Sequence, residues 1–311
     1  GVSSSTYVAP TTNGSHQVVV TDKDLAGNTA SSTLNFTLDA TAPTLDQTTS
    51  AVTGDTWVVS YADMGSGFSS ELPATSNFTV TVYSNADVTK PTIVSVTSVR
   101  IDASNQQIIL TLASAVQSGD TVQVVYTPGS GTNLKDVAGN VLAATTFSTS
   151  QVINKTAPAE LLNITSMSGD SGSSATDFIT NDGTSGKVVT GTISSALRTG
   201  EVLQVSFNGG ATWQTATTNG TSWTATDSSG HTGNWTIQGK VVSSTNINGA
   251  VATQAVLYNA TLEASPTLSL TTDSGTSATD KITNSALITT NSLLQHSNLA
   301  NVTTRTYIVD G

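Results

Sequence analysis

Residues 77–84 read NFTVTVYS. Phe78, Val80 and Val82 alternate with Thr79 and Thr81, the period-two pattern of a strand with one face in a core and the other in solvent. The alternation recurs in HQVVVTD (16–22), STLNFTLD (32–39), TWVVSYAD (56–63), QQIILTLAS (106–114), DTVQVVYTP (120–128), EVLQVSFNGG (201–210) and NWTIQGKVV (234–242). Clusters of Gly, Asn, Asp, Ser or Pro separate these runs. Many short strands with regular turn signals predict an all-β chain of sandwich domains. One stretch, SALITTNSLLQHSNLA (285–300), carries a modest helical pattern, with a further strand and loop as the competing reading.

Composition agrees with strands. Apolar residues make up 36% of the 311-residue chain, enough for real cores, and charged residues only 10%. About a quarter charged is usual, so Ser, Thr, Asn and Gln must supply the polar surface, and these favour strands and turns. The length suggests about two to three domains. With 21 acidic against 10 basic residues the net charge is -11. That argues against nucleic acid, which needs clustered Lys and Arg, and favours a divalent cation. There is no cysteine, which excludes disulfides and Cys-type metal sites. No apolar run approaches the ~20 residues of a membrane helix, so no membrane insertion is expected in this segment. No signal peptide is legible, and an export signal is expected outside it.

Internal repetition organises the chain. SGDSGSSATDFITND (168–182) returns as TTDSGTSATDKITNS (271–285). DATAP (39–43) and NKTAP (154–158) are matching linkers, stiffened by proline. EASPT (263–267) is a third. The closing TTRTYIVDG (303–311) ends on Asp310-Gly311, a hairpin signal that promises a returning strand. Read on from Gly311 into Gly1, the text continues as one domain. The expected organisation is therefore 1–42 as the C-terminal part of a split domain, 43–155 as a middle sandwich, 157–263 as a complete sandwich, and 266–311 as the N-terminal part of the split domain, completed by 1–42 of the next unit. The sharp version is one period of a tandem repeat; the plain version is a fragment with two broken ends. The domains are expected to form an elongated rod.

These motifs carry a resemblance. The text D-S-G-x-S-A-T-D-x-I-T-N, then N/D-G-G, D-x-A-G-N and a terminal T-A-P resembles the bacterial Ig-like repeats of giant surface adhesins, the BapA-like and RTX-adhesin class. LPATSNFTVTV (72–82), SAVQSGDTVQVVYTP (114–128) and KDVAGNVLAA (135–144) make the middle domain similar to the SwmB-type repeat. The resemblance implies a non-catalytic extender module of a bacterial cell-surface, extracellular protein. Its partners would be neighbouring repeats of the same polypeptide, or identical subunits end to end, holding out a distal ligand-binding region. The alternatives are a glycan- or surface-binding module and a self-assembling filament subunit joined by strand complementation.

Calcium is the expected cofactor. Ca²⁺ takes six to eight oxygens from carboxylates, amides, carbonyls and water. Asp170, Asp177 and Asp182 lie close together among small turn-forming residues, and Asp273, Asp280 and Asn284 repeat the arrangement. Asp22, Asp24 and Asn28 in TDKDLAGN, and Asp136 and Asn140 in KDVAGN, form a second pattern, with Asp39 placed at a linker to bind an ion between domains. Asp and Asn also cap turns through their own side chains, which is the competing explanation. In 157–263 the D-x-A-G-N position holds STNINGAVA (244–252), where amides replace carboxylates.

No catalytic site is expected. GDSGSS (169–174) superficially matches a serine-protease nucleophile motif, but the base and orienting carboxylate it needs are not legible among His16, His231 and His296. GTSGK (183–187) lacks the spacing of a phosphate-binding loop and reads as a turn. Trp57, Trp213, Trp223 and Trp235 sit in strand settings that favour core positions over sugar stacking. The sequons at Asn35, Asn77 and Asn301 are of the kind that arise by chance in a Thr-rich chain.

Overall fold

The computed structural model describes residues 7–63, 67–171, 174–260, 268–270, 273–274, 276–277, 279–282, 294–296 and 306. Among them there is no α-helix; short 3₁₀ turns occur at Thr75–Asn77 and Ser84–Ala86. The strands in the first half of the chain are β1 (Gly14–Lys23), β2 (Thr29–Leu38), β3 (Thr44–Thr53), β4 (Thr56–Ala62), β5 (Phe78–Tyr83), β6 (Pro91–Val94), β7 (Val96–Asp102), β8 (Gln107–Leu112), β9 (Thr121–Tyr126), β10 (Thr145–Phe147) and β11 (Ile153–Asn154). In the second half they are β12 (Leu162–Met167), β13 (Ile179–Thr180), β14 (Lys187–Ile193), β15 (Val202–Ser206), β16 (Gln214–Thr215), β17 (Thr217–Asn219), β18 (Ser222–Asp227), β19 (Trp235–Val242), β20 (Ala252–Tyr258), β21 (Leu268–Leu270) and β22 (Leu294–His296). Each alternating run of the sequence overlaps one of these strands. Within 285–300 the described residues 294–296 are strand, paired antiparallel to β21, so the helical reading of that stretch fails there.

The chain divides into two compact units: Gly1–Leu161 with Ser194–Leu203 and Lys240–Val251, and Leu162–Ile193 with Gln204–Gly239 and Ala252–Gly311. In the first, sheets ordered β10-β9-β5-β6 and β11-β3-β4-β8-β7 face one another. The alternation in β5 does what its sequence predicts: Phe78, Val80 and Val82 are buried while Thr79 is exposed. They join Val122, Val124 and Tyr126 of β9 and meet Trp57, Val59, Ile108 and Leu110 of the other sheet in one core. Trp57 packs edge-on against Phe147 across the layers, with ring centroids 5.1 Å apart. Its indole N–H donates to Ser50 Oγ at 2.9 Å, satisfying the polar end of a fully buried ring.

The second unit contains sheets ordered β12-β14-β18-β17 and β13-β20-β19-β15-β16. Ile164, Val189, Trp223, Val205, Ile237 and Val256 are buried between them. Gly191 is required by close approach: a Cβ there would lie 2.1 Å from the Asn163 carbonyl oxygen and 2.5 Å from the Trp223 ring. Two further two-stranded sheets, β1-β2 and β21-β22, stand apart from these sandwiches in the pairing order. Asn284, and the ends at Gly1 and Asp310-Gly311 on which the split-domain reading turns, lie outside the described residues.

Candidate metal centre

The D-x-A-G-N loop builds itself. In the Asp136–Asn140 copy, Asn140 donates its backbone N–H to Asp136 Oδ1 (2.7 Å) and its side-chain amide to Oδ2 (2.7 Å). The Asp136 N–H donates to the Asn140 carbonyl (3.1 Å), and Gly139 takes a φ of +97°, open to glycine without strain. Asp136 is 1% exposed. Val137 N–H donates to Gly67 O, which ties the loop to the segment after β4.

Two more carboxylates arrive there. Asp39 follows β2 by one residue; its carbonyl accepts from the Asn140 amide at 3.0 Å and its Oδ1 accepts from Thr41 N–H at 3.1 Å. Asp63 follows β4 by one residue; its Oδ2 accepts from Gly67 N–H, while its Oδ1 is buried with no protein hydrogen-bond partner. One oxygen from each of Asp39, Asp63 and Asp136 lies within 4.8 Å of the other two, and no other such trio occurs among the described residues. Carboxylates gathered so closely repel one another, and a cation among them relieves that repulsion. Calcium–oxygen distances centre near 2.4 Å, so two ligands of one ion lie at most about 4.8 Å apart. The donor set, all oxygen with one orphaned buried atom, fits a Ca²⁺ ion.

Sequence reasoning nominated Asp39, Asp136 and Asn140, and the structure brings them together. It missed Asp63, which ends an alternating strand with no motif around it. The Asp22–Asn28 region differs. Asp24 is closed by its own loop, accepting from Asn28 N–H and the Asn28 amide at 2.8 Å each, and these hydrogen bonds hold its carboxyl below the usual range. Asp22 is exposed in β1.

At the repeated motif, Asp170 Oδ2 accepts from Phe178 N–H (3.0 Å) and Asp177 Oδ1 from Ile179 N–H (3.1 Å). Asp170 Oδ1 is buried without a protein partner. Burial first, and then the facing Asp177 carboxylate, pushes the Asp170 carboxyl up. The folded state therefore holds that proton more tightly than the unfolded chain does, and stability falls as pH rises from below 3.8 through the raised value. Asp182 is instead taken by Lys187 at 2.8 Å and by Thr184, which hold its carboxyl far below the usual range. The second copy repeats the frame: Lys281 N–H to Asp273 Oδ2 (2.9 Å) and Ile282 N–H to Asp280 Oδ1 (3.1 Å), again with a buried, unpartnered oxygen, Asp273 Oδ1.

Several other residues have structural employment. Trp57, Trp223 and Trp235 are buried and Trp213 is half-buried. His231 Nε2 donates to Asp227 Oδ2 at 2.7 Å, and the ring lies flat on Trp235, with 4.1 Å between ring centroids. Asn77 is 5% exposed, and its amide donates to Thr132 O and Asn133 Oδ1. Residues 172–173 of GDSGSS and Asn301 lie outside the described residues.

The family model described as "Putative flagellar system-associated repeat" (SWM repeat) matches residues 38–131, which carry the Asp39 and Asp63 part of this centre. No curated protein matches the chain. Solved structures resemble it weakly. The N-terminal part of the bacterial S-layer protein SbsC is 16% identical over 70% of this chain and 44% of its own, with a TM-score of 0.28. The longer S-layer protein rSbsC(31-844) is 16% identical over 74% and 28%, with a TM-score of 0.29. The Clostridium thermocellum CbhA fibronectin(III)-like modules are 10% identical over 70% and 93%, with a TM-score of 0.28. The chain thus spans less than half the length of the S-layer structures it matches.

Proposed function

We propose that this chain is a non-catalytic repeat segment of an exported bacterial surface protein of the adhesin type, in which Ca²⁺ held by Asp39, Asp63 and Asp136 fixes the linker at 39–43. The observation that carries the reading is the convergence of three carboxylates, two of them far apart in sequence, at a Thr-Ala-Pro linker. Support for a repeat module comes from the family match over 38–131 and from the duplicated loops. Tryptophans that are buried in strands leave sugar stacking without its usual platform.

The test is a melting curve of the chain in calcium and in excess chelator, with Asp63→Asn beside it. The expected result is a higher Tm in calcium for the parent and a smaller calcium effect for D63N. Equal melting of the parent in calcium and chelator would overturn the reading.

A further inference from the structure

The β1-β2 hairpin is amphipathic, and its apolar face is incompletely covered: His16, Val18, Phe36 and Leu38 are only half-buried. Its register pairs His16 with Phe36, Val18 with Leu34 and Gly14 with Leu38, so these side chains share one face. The other face carries Ser15, Gln17, Val19 and Thr21 opposite Thr37, Asn35, Thr33 and Ser31. On the apolar face Val20 is 57% and Leu34 63% exposed. A two-stranded hairpin is at best marginally stable alone, and needs a partner on such a face.

The β19-β20 hairpin shows what that partner looks like. Its loop, Ser243–Ile247, has the bonding of Asp24–Asn28. Ser243 N–H donates to Ile247 O and Asp24 N–H to Asn28 O, both at 2.9 Å. Ile247 N–H donates to Ser243 Oγ (3.0 Å) where Asn28 N–H donates to Asp24 Oδ1 (2.8 Å). Asn246 at φ +67° takes the place of Gly27 at +92°. Matching the loops sets Val18 at Ile237, and the pair His16–Phe36 at the pair Trp235–Val256. Ile237 and Val256 are both 0% exposed. Part of what surrounds them is β13, which pairs parallel with β20, Ile179 beside Leu257.

The described residues from Leu268 onward repeat features of the segment that holds β12, β13 and β14. Ser274 N–H donates to Ile282 O (3.0 Å) as Ser171 N–H does to Ile179 O (3.2 Å). Lys281 repeats the positive φ of Phe178, +64° against +59°. β21 and β22 pair antiparallel, as β12 and β14 do. Ile282, the counterpart of Ile179, is 65% exposed.

We propose that the apolar face of β1-β2 is completed by the segment of a second copy of this sequence that carries β21, β22 and Ile282. The segment at Ile282 adds parallel to β2 as β13 adds to β20. Transposing Ile179–Leu257 places Ile282 of one copy beside Thr37 of the other.

The chain has no cysteine, so introduced thiols report cleanly. Neighbouring strands lie about 4.8 Å apart, within the ~4.4–6.8 Å Cα span of a disulfide. Full-length Ile282→Cys and Thr37→Cys chains are mixed and oxidised. The expected product is the mixed disulfide dimer, in excess over an Ile282→Cys mixture with a Thr29→Cys control. Adding Val18→Asp to the Thr37→Cys chain should abolish it, while unchanged emission of the buried tryptophans Trp57, Trp223 and Trp235 confirms that the sandwiches stay folded. No excess over the control would overturn the proposal. So would a monomeric, internally bridged product from a chain carrying both Ile282→Cys and Thr37→Cys, which would put the covering segment in the same copy.

Discussion

The linkers Asp39–Pro43 and Asn154–Pro158 share one backbone frame and differ in charge. In both, the first residue's side-chain oxygen accepts from the N–H two residues on, Thr41 to Asp39 at 3.1 Å and Thr156 to Asn154 at 2.9 Å. In both, its carbonyl is held by the following five-residue loop, through Asn140 at 3.0 Å and Thr245 at 2.8 Å. The first linker then meets the carboxylates of Asp63 and Asp136. The second has Asn154, whose amide donates to Gln117 O (2.7 Å) and Asp120 O (3.0 Å), and a loop headed by Ser243 instead of Asp. Beside it the chain supplies its own cation. Arg198 reaches the Asp120 carboxylate, Ser118 O and Gln117 Oε1. The same frame thus carries either a surplus of negative charge or a neutral set beside a resident guanidinium.

The largest expected effect is at the second linker. Arg198→Met leaves Asp120, 6% exposed, without its cation. Removing one partner of a buried pair costs about 3–5 kcal/mol, and Arg198 is partly exposed, so a loss of about 3 kcal/mol is expected in denaturant unfolding. Trypsin cleavage after Lys155 should speed up in the same variant. Cleavage and stability like the parent's would remove Arg198 from the comparison.

Chelation comes next and should act on the first linker alone. A ligand at 100 times its Kd stabilises by about 2.7 kcal/mol. Amide exchange at Thr41 is expected to accelerate in chelator and exchange at Lys155 to stay constant. Equal acceleration at both amides would break the distinction.

A smaller pair of variants separates strain from contact. Gly119 has φ +77°, and a Cβ there would lie 2.8 Å from Arg198 Cβ; Gly139 has φ +97° and open space. Left-handed backbone costs a non-glycine residue about 1–2 kcal/mol. Gly139→Ala should lose about 1 kcal/mol and Gly119→Ala about 2 kcal/mol or more, measured by thermal melting. Equal losses would mean that the Gly119–Arg198 approach relaxes freely.

Much of this was legible in the sequence. Period-two runs marked the strands because burial on one face imposes the alternation, as at Phe78, Val80 and Val82. The D-x-A-G-N loop was legible because its own side chains close it. The frame of Arg198 can also be seen, SAVQSGDTVQV (114–124) against SALRTGEVLQV (195–205), with Gln117 N–H on Asp120 Oδ2 and Arg198 N–H on Glu201 Oε2. What sequence could not supply was contact across distance. Asp63 reaches Asp39 and Asp136 only because β4 ends beside the loop, and Ser243 hides the same loop geometry behind a different residue type.

The smallest effect tests whether the frame alone captures a cation. Asn154→Asp with Ser243→Asp places carboxylates at the positions of Asp39 and Asp136 without a counterpart of Asp63. Without calcium the variant should be less stable than the parent, because the Asn154 amide no longer donates to Gln117 O and Asp120 O. Added calcium should recover a little of that loss. With few ligands, a Kd in the range of about 10⁻⁴–10⁻³ M is expected. At a concentration equal to Kd the gain is about 0.4 kcal/mol, read as a small rise in Tm that the parent's second linker does not contribute. If the variant gains no calcium dependence, capture at the first linker depends on Asp63, the carboxylate whose buried oxygen has no partner in the protein.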